Sequence, residues 1–219
     1  MTGSIEDEKF IRGKVPMTKE EIRILTLAKA KICSTDFVVD IGAGTGSLSI
    51  EAAKIAEHGY VFAIDKNPEA VDLITQNAEK FSVDNIVIIN AEASESLRQV
   101  PRIDIALIGG SGGKIREILQ AVDDKLKIGG RIVANFITVQ SLSNCLEWLK
   151  NRDDYAYELI QVQINKFKIV GGLDMAQALN PVHILTAKKI PLKQAVNVIK
   201  LPEKKIKTAQ VVGLKIPNN

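Results

Sequence analysis

The sequence predicts an α/β fold: a doubly wound, Rossmann-like parallel sheet with a C-terminal antiparallel strand pair. Three observations carry this prediction. Short apolar runs alternate with stretches of helical period along most of the chain. At 219 residues, 46% hydrophobic and 25% charged, the chain is long enough for one sizeable core. After Tyr155 the alternation stops, and two strand-like stretches follow with no long helix between them.

The first helix is expected over Thr18–Lys31, where Ile22, Leu25 and Lys29 recur at helical intervals and Thr18 with Glu21 has capping-box spacing. Phe37–Ile41 reads as a buried strand and Ser47–Glu57 as a helix. Tyr60–Ile64 is the second strand, after which Asn67 and Pro68 form an N-cap and first-turn pair opening a helix to Lys80. Asn85–Ile89, Ile103–Ile108 and Gly130–Phe136 give three more strands, with helices over Lys114–Leu126 and Val139–Lys150. Tyr157–Val170 and Pro181–Lys188 supply the antiparallel pair. This alternation calls for right-handed crossovers. Ligands on such sheets sit outside the carboxyl ends of the strands, where strand order reverses.

Composition narrows the function classes. The longest apolar runs, Ile103–Gly109 and Arg131–Val139, fall far short of the roughly 20 residues that cross a bilayer, so no membrane partner is expected. Glu6, Asp7 and Glu8 precede any apolar run, unlike a signal peptide, and the expected compartment is the cytoplasm. Cys33 and Cys145 lie far apart without metal-ligand spacing, and both are expected to be buried or half-buried thiols. Eight of the 29 basic residues but one of the 26 acids fall in 188–219, leaving 21 bases against 25 acids in 1–187. The chain is therefore divided into a domain over 1–189 and a basic extension over 190–219. The extension has no aromatic residue on which a base could stack, so no nucleic-acid partner is expected.

The stretch "DIGAGTGSLSIEAA", residues 40–53, places Gly42, Ala43, Gly44, Thr45 and Gly46 between the first strand and its helix. A phosphate loop would need Gly-x-x-x-x-Gly-Lys and Ser or Thr; the nearest match, Gly109–Lys114, is one residue short and runs into Ile115. A dinucleotide turn would need a third glycine where Ser47 stands. S-adenosylmethionine has no phosphate and needs only close backbone approach, which alternate glycines allow. Such a turn also serves a tight strand-to-helix connection without any ligand. Four neighbours strengthen the ligand reading. Asp65 ends the second strand where a carboxylate accepts ribose hydroxyls, and Asn67 already fills the helix cap that would otherwise explain it. Glu92 and Ala93 follow the third strand, placed to bracket an adenine, and Asp40 could orient the ligand's ammonium group. Together they predict a class I S-adenosylmethionine-dependent methyltransferase.

The acceptor side is read from "IGGSGG", residues 108–113. It lacks the Asn/Asp-Pro-Pro-aromatic grip of enzymes that methylate planar amines, and offers exposed backbone N–H groups suited to carboxylates. Gly110, Ser111, Gly112, Gly113 and Asn135 are the candidate substrate contacts, though two glycine pairs also make a plain flexible loop. Arg12, Lys14, Lys19, Arg23, Lys114, Arg116 and Arg131 are candidate partners for acidic substrate groups, each competing with a solvated surface role. His58, at a helix end, and His183, within a strand, read as structural.

"FIRGKVPMTKEEIR" (10–23), the glycine turn, "AIDKNPEAV" (63–71), "IDIALIGGSGGKIREIL" (103–119), "LKIGGRIVANFIT" (126–138) and "ALNPVHILTAKK" (178–189) together resemble the stand-alone cobalt-precorrin-6B carbon-15 methyltransferases (decarboxylating) of anaerobic cobalamin synthesis. The likeness spans about residues 8–189. It implies donor contacts at Thr18, Gly42–Gly46, Asp65 and Ala93, although Val15-Pro16-Met17 departs from the Pro-Gly-Pro usual before that threonine. It implies a tetrapyrrole substrate, cobalt carried only within that substrate and no protein metal site, a homotetramer, and loss of the ring C acetate carboxyl as carbon dioxide. A tRNA methyltransferase with a related donor site, or a non-catalytic scaffold of the same fold, stays open as an alternative.

Overall fold

The computed structural model describes residues 4–192. Of the basic extension only Ile190, Pro191 and Leu192 are included, so its expected role lies outside the described residues. The strands are β1 (Phe37–Ile41), β2 (Tyr60–Asp65), β3 (Ile86–Asn90), β4 (Ile103–Ile108), β5 (Leu126–Phe136), β6 (Tyr155–Val162), β7 (Asn165–Val170), β8 (Leu173–Ala178) and β9 (Val182–Lys189). The helices are α1 (Glu20–Ala30), α2 (Ser47–Ile55), α3 (Pro68–Lys80), α4 (Ala93–Ser96), α5 (Ile115–Lys125) and α6 (Val139–Lys150).

Seven strands form the main sheet in the order β3-β2-β1-β4-β5-β9-β6. The first five run parallel, and β9 is antiparallel to both β5 and β6, the expected terminal pair. Strand order reverses between β1 and β4. Both strands are buried on both faces, which explains their unbroken apolar runs. Val38, Val61, Leu107 and Val133 pack under α1 and α2, while Val39, Ile64, Ala106 and Ala134 pack on the opposite face with Ile118, Leu119 and Val122 of α5 and Cys145 of α6.

Several details differ from the sequence expectation. The α1 helix starts at Glu20, and Lys19 occupies the cap position with no side-chain bond, so Thr18 is not the cap. The cause is Arg23. Its side chain is fully buried, donates to Asp7 Oδ1 (2.7 Å), Glu51 Oε1 (2.8 Å) and the Ile5 carbonyl, and takes the Thr18 carbonyl at 2.7 Å, holding the chain extended up to the helix. Arg23 is thus a buried anchor of the N-terminal segment and no partner for substrate carboxylates. Asn67 caps α3 as expected, accepting from Glu69 N at 3.0 Å, with Pro68 in the first turn. The α2 helix ends at Ile55, short of Glu57, which leaves His58 exposed beyond the helix end. Cys33 is exposed and Cys145 buried.

The largest difference follows Val162. The expected strand over Tyr157–Val170 divides, and β7 leaves the main sheet to pair with β8 in a separate two-stranded hairpin. Gly171 and Gly172 both take positive φ at its tip, as a two-residue hairpin turn requires. Every residue of β7 and β8 is exposed.

Candidate active site

The glycine turn after β1 is pinned to the end of β2, because Gly42 N and Ala43 N donate to the Ile64 carbonyl at 2.9 and 3.2 Å. Gly42, Gly44 and Gly46 all have positive φ. Two of them also lack room for a side chain. A Cβ on Gly42 would lie 2.7–2.8 Å from the Gly110 backbone, and one on Gly44 would lie 2.5 Å from the Pro16 carbonyl oxygen. The turn after β1, the loop after β4 and the N-terminal segment therefore meet backbone to backbone.

A cavity of about 250 Å³ opens where these three segments meet. Gly42, Gly44, Asp65, Glu92 and Ala93 line it, together with Gly110, Ser111 and Gly112 and the unanticipated Val15, Pro16 and Ile118. Thr18 and Ala43 instead line a second chamber of about 340 Å³ on the other side of the turn. Asp40, Thr45 and Gly46 are buried beneath the turn.

Asp65 braces the cavity rim: Oδ2 accepts from Gly44 N and Oδ1 from Asn67 N, both at 2.9 Å. It supports the entry to α3 alongside the Asn67 cap, a structural role that the sequence reading had discounted. Each oxygen keeps a further lone pair for a ligand hydroxyl. Glu92 sits between Lys66 (3.1 Å) and Lys114 (3.5 Å), and the Lys66 hydrogen bond holds its carboxyl below the usual range. Asp40 is 1% exposed. Its Oδ2 accepts from Ser49 Oγ at 2.6 Å, its Oδ1 has no partner among the described residues, and burial pushes its pKa up to about 6. Thr45 Oγ1 is likewise buried without a partner.

The second chamber is lined by Pro16, Met17, Thr18 and Lys19, by Asn135 near the end of β5 and Ile137 just beyond it, and by Ile164, Leu179 and Asn180 at the hairpin root. A smaller neighbouring cavity runs along Gly109–Gly113 to Asn135 and Thr138. Asn135 lines both acceptor-side spaces. Its Nδ2 donates to Thr26 Oγ1 at 3.0 Å, and Thr26 in turn donates to the Ile22 carbonyl at 2.7 Å, which fixes the amide's direction. Of the cationic candidates, Lys19 reaches the chamber, with Asp7 3.8 Å away, while Lys114 is engaged by Glu92 and Arg116 by Glu147. His58 and His183 line none of these spaces. Ile164 and Leu179 carried no signal in sequence, since their place depends on the hairpin leaving the sheet; Asn180 stood within a quoted motif without a role.

A doubly wound sheet with glycines at the first turn, an acid at the end of the second strand and a second chamber across that turn defines a methyltransferase of the class I fold. Residues 9–189 match the model of the precorrin methyltransferase domain, and the chain belongs to that family. A relative from Pyrobaculum aerophilum, named "Probable cobalt-precorrin-6B C(15)-methyltransferase (decarboxylating)", is 42% identical over 189 residues, covering 85% of this chain and 96% of its own. A crystal structure of precorrin-6y C5,15-methyltransferase from Geobacter metallireducens superposes with a TM-score of 0.79 at 38% identity, covering 84% of this chain and 97% of that one. One of a precorrin 8W decarboxylase from Methanobacterium thermoautotrophicum gives 0.78 at 34% identity, covering 83% and 98%. Family and fold imply S-adenosylmethionine as the methyl donor. The residues fit it: the turn's glycines leave a cradle that a Cβ would disrupt, and Asp40 keeps an unpartnered carboxylate oxygen beneath it.

Proposed function

We propose that the chain methylates carbon 15 of cobalt-precorrin-6B and releases the ring C acetate carboxyl as carbon dioxide, giving cobalt-precorrin-7. The observation that carries this reading is the pairing of two spaces across one thin wall. Pro16, Gly42 and Gly109 face both the narrow cavity beside Asp65 and the wide, largely apolar chamber beneath the hairpin root. S-adenosylmethionine, when bound, supplies an electrophilic methyl on a sulfonium.

In this reading Gly42 and Gly44 admit the methionine portion, Asp65 accepts the ribose hydroxyls, and Glu92 with Ala93 borders the adenine. Asp40 answers the ammonium from beneath the turn, and Thr18 meets the donor from the chamber side. The tetrapyrrole lies in the chamber, with Asn135 and the Gly110–Gly113 loop at its polar edge and Lys19 facing a carboxylate. With both molecules bound, carbon 15 would take the methyl as its carbon–sulfur bond breaks, the sulfur keeping that bond's electron pair. The acetate's carbon–carbon bond breaks with its electron pair retained by the conjugated ring. Alignment supplies much of the rate: holding reacting atoms about 3–3.5 Å apart contributes roughly 7–11 kcal/mol. No strong base is required.

Cobalt enters as part of the substrate, and neither nucleic acid nor membrane takes part. The reading includes a cytoplasmic location and a homotetramer, the latter supported by Phe167, Ile169, Leu173 and Met175, which the hairpin leaves 56–78% exposed. Incubation with cobalt-precorrin-6B and isotopically labelled donor, followed by mass analysis, tests it. The expected product has gained one labelled methyl and lost one carboxyl. Label in transcript RNA, or no transfer to the tetrapyrrole, would refute it.

A further inference from the structure

The N-terminal strap, residues 10–19, crosses the mouth of both cavities before α1 begins. Val15, Pro16 and Met17 make no hydrogen bond among the described residues, yet Pro16 is part of the wall between the two spaces. Met17 packs on the Phe10, Ile50 and Ala78 cluster, and the strap's hydrogen bonds lie on either side of Val15–Met17. Arg23 takes the Thr18 carbonyl on one side, while on the other Lys14 N donates to Glu69 Oε1 at 2.6 Å and Ile11 is held by Asn77.

Asn77 is out of pattern. Ala70, Leu73, Ile74, Asn77 and Ala78 form the buried stripe of α3, and helical spacing asks for an apolar side chain at the fourth place. A fully buried amide costs stability unless its donors and acceptor are met. All are met here, by the strap on one side and the glycine turn on the other. Oδ1 accepts from Ile11 N at 2.8 Å, and Nδ2 donates both to the Ile11 carbonyl at 3.0 Å and to the Thr45 carbonyl, inside the glycine turn, at 2.9 Å. One side chain thus fixes the height of the strap relative to the turn, and with it the close approach that would put a Cβ on Gly44 2.5 Å from the Pro16 carbonyl oxygen.

We infer that Asn77 is a positioning residue of the donor site: it couples occupancy of the glycine turn to seating of the strap, so that donor and wall are set together. The inference rests on the donor reading above. A ligand pressing on the turn is felt at the Thr45 carbonyl and passed through the amide to Ile11, and a seated strap in turn closes the route by which the donor leaves. Asn77 touches neither reactant.

The test uses the full chain, with calorimetric titration of S-adenosylmethionine and hydrogen exchange of residues 10–18 with and without it. Wild type is expected to bind saturably and to protect the strap on binding. In Asn77→Ala donor affinity falls about tenfold and donor-dependent protection of the strap disappears. Val122→Ala, a core truncation on α5 at a residue that lines neither space, lowers the melting temperature without either change. Should Asn77→Ala fail to fold, Glu69→Ala at the half-exposed second anchor is expected to lose two- to threefold in affinity together with part of the protection. Wild type that does not bind the donor overturns the donor reading and this inference with it. Wild type that binds while the anchor variants keep full affinity and protection, or lose no more than Val122→Ala does, overturns the inference alone.

Discussion

The half of the sheet from β3 to β4 and the half from β5 to β6 treat their ligands in opposite ways. On the first side the site is made of backbone held at both ends: Gly42 and Ala43 are tied to β2, Gly44 to Asp65, and Thr45 to Asn77. On the second it is made of side chains at the root of a hairpin whose strands are exposed throughout. The difference is between a cradle of tied backbone and a wall of side chains. On the function proposed above, backbone substitutions should act mainly on the donor, and side-chain substitutions at and beyond the end of β5 mainly on the acceptor.

Gly42→Val is the largest break of that division. It combines a positive-φ position with a Cβ that meets the Gly110 backbone, so donor binding is expected to weaken by on the order of 3 kcal/mol or more. Calorimetry showing near-normal affinity would mean that the cradle yields. Next comes Asp65→Ala, which removes a charge-assisted contact worth about 1.5–3 kcal/mol and should raise the donor's Kd while leaving the acceptor's KM in place. A change in acceptor KM alone would reverse the assignment of the two sides.

The pH dependence of stability isolates the floor of the cradle. Asp40 has a folded pKa of about 6 against an ordinary 3.8, so between these values the folded chain binds more protons than the unfolded one. Stability from this group is therefore greatest below about pH 4, falls as pH rises to 6 and is level above it, a component of about 3 kcal/mol. Denaturant titrations across that range should show the component in wild type and not in Asp40→Asn. The smallest effect is on the far side: Asn135→Ala is expected to cost about 1 kcal/mol in kcat/KM for the acceptor, with donor Kd unchanged.

The same contrast explains what could be read from the sequence. Local chemistry is legible where it is self-sufficient. Alternate glycines after an apolar strand, and Asn67 followed by Pro68, state their geometry within a few residues, and β1, β4 and α6 have the predicted ends. Legibility fails where the deciding partner is distant. Arg23 reads as a surface charge because Asp7 and Glu51 stand 16 and 28 residues away, and its pull on the Thr18 carbonyl is what displaces the expected helix cap. The place of Asp65 and Glu92 at strand ends beside the glycine turn is legible, but their backbone and lysine partners are not. The β8 strand was missed because "LDMAQA" has no β-branched residue and no alternation to mark it.

The hairpin's ladder is complete within itself, and the described main sheet contributes no strand to it. Its base closes on itself, where Leu179 N meets the Ile164 carbonyl and Gln163 the Leu179 carbonyl, and the Lys166–Glu21 ion pair at 2.8 Å ties β7 to α1. Exchanging residues 163–180 would therefore break one ion pair to α1 and no strand pairing of the main sheet, so the hairpin is the part of the molecule that can change in length and sequence at least cost to the parallel strands.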